Sequence, residues 1–219
     1  TPDAGNRSVY LDLTVNKIGE VFLLEQYAEG KLELLESLSG ERAHTIHKFD
    51  KRGRKRLSEA IDLEHRRARR LSLRMTLNEE LLVSGVFFTA EEGNGIAYMR
   101  FNTSTLEPQV VTFNLFDLEY IKEGMPKDHV KTLMRKFNRG KPAYLPITIR
   151  DFVFKPDGGL IILGEKFIAQ EIQKSGSSPS LEYSFDYVYI LYLDAEGEVK
   201  WKKKIVKRQN HSQSQKGLT

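Results

Sequence analysis

The chain has 219 residues, 34 of them Lys or Arg and 30 Asp or Glu, for a formal net charge of +4. Apolar residues make up 40%, charged residues 29%, and cysteine is absent. The absence of cysteine excludes disulfide scaffolds, Cys-ligated zinc, iron–sulfur clusters and thiol catalysis. No apolar run approaches the ~18 residues of a transmembrane helix, and residues 1–6 lack the layout of a signal peptide.

In chain order, the first unit covers about 8–64. Leu11 to Val15 alternates as a half-buried strand, Asn16 to Glu20 is a polar turn, and Val21-Phe22-Leu23-Leu24 is a dense apolar strand. Thr45 to Phe49 ends at Asp50, whose carboxylate can bond its own backbone and start a turn that Gly53 completes at positive φ. A fourth strand leaves over Lys55 to Leu63. The second unit, about 66–116, repeats the order: Leu71 to Met75, a turn at Asn78-Glu79-Glu80, Leu81 to Gly85, Ile96 to Phe101, and Gln109 to Leu115.

Between 117 and 141 the alternation stops. Val130, Leu133, Met134 and Phe137 fall at offsets of 3, 4 and 7, which predicts one short amphipathic helix over Asp128 to Phe137. Pro126 sits near its start and Gly140 past its end. The helix is expected to pack over the mouth or edge of the sheets, or to act as a lid or docking element. The third unit, about 146–208, holds strands at Ile149 to Phe154, Leu160 to Gly164, Tyr187 to Leu193 and Glu198 to Val206. Ser175 to Ser180 is expected to be a flexible hairpin tip, and Asn210 to Thr219 a patternless tail or loop.

Val15, Met75 and Phe154 align, as do Val21, Leu81 and Leu160. A four-strand unit that recurs three times reads as an all-β, propeller-like array of about three antiparallel blades over a single domain, 1–219, with one helical insertion at 117–141. A β-sandwich or partly open barrel is the alternative.

The third unit carries Lys155-Pro156-Asp157-Gly158-Gly159, Leu163-Gly164-Glu165, Asp194-Ala195-Glu196-Gly197 with Trp201, and Lys203-Lys204-Ile205. These residues resemble the blade signature of bacterial secreted or cell-envelope β-propeller repeat proteins. The second unit departs from it with Asn78-Glu79-Glu80 in place of a Gly turn, and the first has Lys55-Arg56 where a Trp would sit. The resemblance implies an exported envelope protein, periplasmic, outer-membrane-associated or secreted, of a type mostly without assigned activity. It also implies structural roles for Asp157, Gly158, Gly159, Gly164, Asp194 and Gly197 in turns, and for Trp201 in covering a blade face. Closed propellers typically take 4–8 blades. Three blades therefore imply a segment of a larger propeller, as a start at Thr1 without Met suggests, or two chains joined in a six-bladed ring. The partners expected are further blades of the same protein, another protein, or a second copy.

Ten cations lie within residues 51–74 against three acids, a local +7. Lys55, Arg56, Arg66, Arg67, Arg69, Arg70 and Arg74 are the candidates for an anionic partner or surface, or nucleic acid. No interleaved aromatics or recognition helix accompany them, so a solvated face is the simpler reading and nucleic acid the weaker one. His44 and His47, three apart on a strand, point to opposite faces and make a poor metal pair. Asp194 and Glu196, like Glu91 and Glu92, suit turns better than a calcium loop. Glu25 and Glu165 read as comparable positions that could face a central channel. Tyr183, Tyr187, Tyr189 and Tyr192 crowd one hairpin and suit inter-blade packing. No nucleophile elbow, P-loop or dinucleotide fingerprint occurs. The expectation is a non-catalytic scaffold or interaction module with no cofactor or metal. The alternatives are a ligand-binding or hydrolytic propeller with an axial site completed by other blades, and an anion-binding surface at 51–74.

Overall fold

A computed structural model describes residues 7–28, 42–172 and 180–214, so the expected tip at 175–179 and the last residues of the tail, 215–219, lie outside the described residues. The described part of the tail differs from expectation, because 210–214 continue the last strand by pairing with 180–184.

Twelve antiparallel strands are described. The first sheet is β1 (Arg7–Val15), β2 (Val21–Ala28), β3 (Arg42–Phe49) and β4 (Lys55–Ile61). The second is β5 (Arg67–Met75), β6 (Leu81–Thr89), β7 (Gly93–Phe101) and β8 (Pro108–Leu115). The third is β9 (Thr148–Phe154), β10 (Leu160–Ile172), β11 (Ser180–Leu193) and β12 (Val199–Ser214). Each sheet pairs its strands in chain order, and the three together form an all-β, propeller-like array.

Local turn chemistry explains the chain-order pairing. Asp50 accepts from the backbone N–H of Arg52 at 2.9 Å and of Arg54 at 3.0 Å; Asp194 does the same for Glu196 at 3.1 Å and Glu198 at 2.9 Å. The first hairpin of each sheet needs one residue at positive φ. Gly19 and Gly158 supply it in the outer sheets, and Glu79 takes that conformation, at φ 60°, where the middle sheet lacks the glycine.

Packing then follows from strand alternation. In β6, Leu81, Val83 and Phe87 face the first sheet and join a core with Phe22, Leu24, Ile46, Leu71 and Leu73. Leu82 and Val86, of opposite parity, face the third sheet and pack with Ile96, Tyr98, Leu160, Ile162, Tyr189 and Leu191. The middle sheet is therefore buried on both faces. Each such side chain contributes about 1.5–3 kcal/mol by leaving water.

The insertion holds two helices rather than one: α1 (Leu118–Lys122) and α2 (Lys127–Phe137). Asp117 caps α1 by accepting from the Tyr120 N–H at 2.7 Å. Five residues are too few for a helical period to show in sequence. α1 is the better anchored of the two, burying Tyr120 and Ile121, whereas α2 has no fully buried residue. No described helix is long and apolar enough to cross a membrane.

Lys204 of β12 lies buried beneath α1. Its ammonium donates to the Ile121 carbonyl at 3.0 Å and sits 4.5 Å from the Tyr187 ring centre. Burial lowers its pKa from 10.5 to about 8. The folded state therefore releases this proton before the unfolded state does, and stability rises with pH between about 8 and 10.5. Denaturant titrations at pH 7 and pH 10 check this: the native chain should gain stability relative to Lys204→Met as pH rises, and an unchanged difference would contradict it.

Candidate functional site

The innermost strands β1, β5 and β9 meet at one cluster. Asp12 of β1 accepts the Leu73 N–H of β5 at 3.0 Å and an ion pair from Arg74, whose guanidinium lies 5.7 Å from the Phe152 ring centre of β9. Arg74, expected at a partner surface, thus ties together three inner strands.

The other members of the basic stretch are divided between two sheets. Lys55 and Arg56 lie exposed on β4, the outermost strand of the first sheet. Arg56 donates to Asp50 at 2.7 Å, and Asp50 also takes Arg54 at 2.9 Å. These backbone and guanidinium hydrogen bonds hold the Asp50 carboxyl far below its ordinary range. Arg66 pairs with Glu64 and stacks 4.1 Å over the Phe113 ring. Arg67 is exposed at the start of β5; the side chains of Arg69 and Arg70 lie outside those described. The run of charge in sequence is therefore not one patch in space: it crosses from an outer edge to an inner strand.

Asp157 accepts the Gly159 N–H at 3.0 Å and the Lys155 ammonium at 2.8 Å. Gly158 has φ 82°. A side chain at Gly159 would meet Tyr192, and one at Gly164 would meet Ile147. Trp201 stacks on Tyr192 at 5.8 Å and stays half exposed. Gly197 locks the third sheet to the second: its carbonyl accepts from Thr112 at 3.0 Å and from Asn114 at 2.8 Å.

Strand register corrects one expectation. Val21, Leu81 and Leu160 open the second strand of each sheet and pair with Phe49, Phe101 and Leu193. Four residues on, Glu25 matches Gly85 and Gly164, and Glu165 matches Gln26 and Val86. One residue of offset exchanges faces. Glu25 and Glu165 are therefore not equivalent, and both stand on second strands rather than on the axis.

Each instead occupies the outward face of an end sheet. On the first sheet, Glu25 lies beside His47, whose Nε2 is 2.6 Å from Glu25 Oε2 and whose Nδ1 is 2.9 Å from Ser58 Oγ. Hydrogen bonds from Ser8 and then His47 lower the Glu25 pKa. With Glu25 ionised, a neutral His47 carries its proton on Nε2 and accepts from the Ser58 hydroxyl on Nδ1. Spacing in sequence hid this relay, because its members come from three strands brought side by side only by register. The face also carries Ser8, Thr45 and Lys55, and its exposed apolar part is Tyr10 at 66%, Leu13 at 54% and Val15 at 49%. The outward face of the third sheet shows Val153 at 45%, Trp201 at 46% and Ile205 at 47%, with Glu165 bridging Arg150 at 3.2 Å and Lys207 at 3.0 Å. Among the described residues, no group of three His, Asp or Glu could hold a metal ion.

No family model matches the chain, and no curated protein matches it. Among solved structures it is similar to a protein of unknown function from Bacteroides caccae, with 10% identity over 94% of this chain and 69% of that one, at a TM-score of 0.34. It is also similar to the quinohemoprotein alcohol dehydrogenase from Comamonas testosteroni, with 9% identity over 93% of this chain and 44% of that one, at a TM-score of 0.34. Likenesses at this level carry no argument about activity.

Gly197 provides a test of how the sheets are held together. It has φ 81°, and a methyl group there would run into Tyr98 and Thr112 of the second sheet. Gly197→Ala should cost about 2–4 kcal/mol, from the left-handed backbone and overpacking together. A urea midpoint equal to that of the native chain would contradict the lock.

Proposed function

We propose that the chain is an assembly scaffold, an interaction module of an exported bacterial envelope protein, whose end sheets receive further sheets. One observation carries this reading: the middle sheet is covered on both faces, while each end sheet turns an apolar face outward. Exposed apolar side chains gathered on one face of a sheet favour an interaction site. The blade signature of the third unit supports the envelope assignment.

Glutamates placed in the third sheet's outward face test it. Trp201→Glu with Ile205→Glu should leave the thermal midpoint within a few degrees, since both side chains are about half exposed. The pair should lower self-association and binding of an apolar dye several-fold by sedimentation and fluorescence. Unchanged association and dye binding would remove the basis for the scaffold.

A second reading, a hydrolytic module, is favoured by the Ser58–His47–Glu25 relay. In it Ser58 Oγ adds to the carbonyl of an activated ester as His47 Nδ1 takes the hydroxyl proton, Glu25 steadies the resulting imidazolium, and the ester C–O bond breaks with the alcohol leaving on that proton and the acyl group held on Ser58. A fluorophosphonate probe decides: the P–F bond breaks as the Ser58 O–P bond forms, fluoride leaves, and Ser58→Ala abolishes labelling. Absence of label on the native chain would rule this reading out.

A further inference from the structure

Building on the scaffold reading, we infer that the two exposed end faces fit each other, so that two copies of this chain close head to tail into a ring of six sheets. The internal interfaces supply the template. Each sheet presents one face with the parity of Phe22, Leu24 and Gln26, matched by Leu82, Ser84 and Val86 and by Ile161, Leu163 and Glu165. The other face has the parity of Val21, Leu23 and Glu25, matched by Leu81, Val83 and Gly85 and by Leu160, Ile162 and Gly164.

Both internal interfaces join a face of the first kind to a face of the second. One face of each kind is left over, the third sheet's outward face and the first sheet's. Within a three-sheet array these two belong to opposite ends of the chain. Six sheets fall within the typical 4–8 of a closed propeller.

Charge selects the pairing. The third sheet's face carries Arg150, Lys203 and Lys207 against the carboxylates Glu165 and Asp151, one positive charge in excess. The first sheet's face carries Glu25, where the two internal copies of that face have Gly85 and Gly164. Closure sets Glu25 at the level of Glu165, where it adds a carboxylate beside Arg150 and Lys207. The symmetric alternatives, first face on first face or third on third, would oppose Glu25 to Glu25 or cations to cations.

Sedimentation equilibrium on the purified chain tests this, with thermal melts to confirm that each variant folds. The native chain, of 25.2 kDa, should sediment at twice its mass. Glu25→Lys, or Arg150→Glu with Lys207→Glu, should each raise the dimer Kd at least tenfold. Mixing the two variant chains should restore the dimer, because each ring then holds one native interface and one charge-reversed interface. A native monomer overturns the inference, as does a dimer that ignores either charge set. A dimer that ignores the charges but dissociates on Trp201→Glu would leave the scaffold reading standing and remove only the head-to-tail ring.

Discussion

A β-strand points its side chains to two faces, and a sheet apolar on both must be covered on both. β6 is where this constraint governs the molecule. Leu81, Val83 and Phe87 need one cover and Leu82 and Val86 another, so the second sheet can exist only between two neighbours. The first and third sheets are those neighbours. Having covered the middle, each is left with an outward face that no sheet covers among the described residues.

Polar contacts fix how the sheets sit once burial has brought them together. Between the first and second sheets, buried Lys48 donates to the Thr103 carbonyl at 2.9 Å and pairs with Glu20 at 2.9 Å, while Asp12 holds Leu73 and Arg74. Between the second and third, Asn114 and Thr112 hold the Gly197 carbonyl. Buried Asn94 exchanges two bonds of 2.7 Å with the backbone of Leu145, pinning the chain that leads from α2 to β9. Such directional bonds cost little when made and much when broken in a dry interface. They set register, while the apolar layers supply most of the stabilisation.

Much of this architecture was legible in the sequence. Alternation, Asp-initiated turns and Gly19, Gly53, Gly158 and Gly197 mark hairpins through local physics, which a linear string records. Glu79 shows the limit of that reading: the turn kept its positive φ although the residue changed. α1 was too short for a period to appear. The function-bearing surfaces were harder to read, because they depend on which strand lies beside which. Arg74 looks like surface charge until β1 and β9 are placed against β5. His47 looks like a lone strand histidine until Glu25 and Ser58 arrive from either side. The one-residue offset between Glu25 and Glu165 was already present in the alignment of Val21 with Leu160, and strand alternation turns it into a difference of face.

Double-sided cover makes the second sheet the keystone of the array. Hydrogen exchange resolved to single strands measures this most directly. The account predicts that amides of β6 and β7 exchange slowest and open only with global unfolding, while those of β4 and β12 exchange through smaller openings. Exchange of β6 and β7 as fast as that of the outer strands would contradict it.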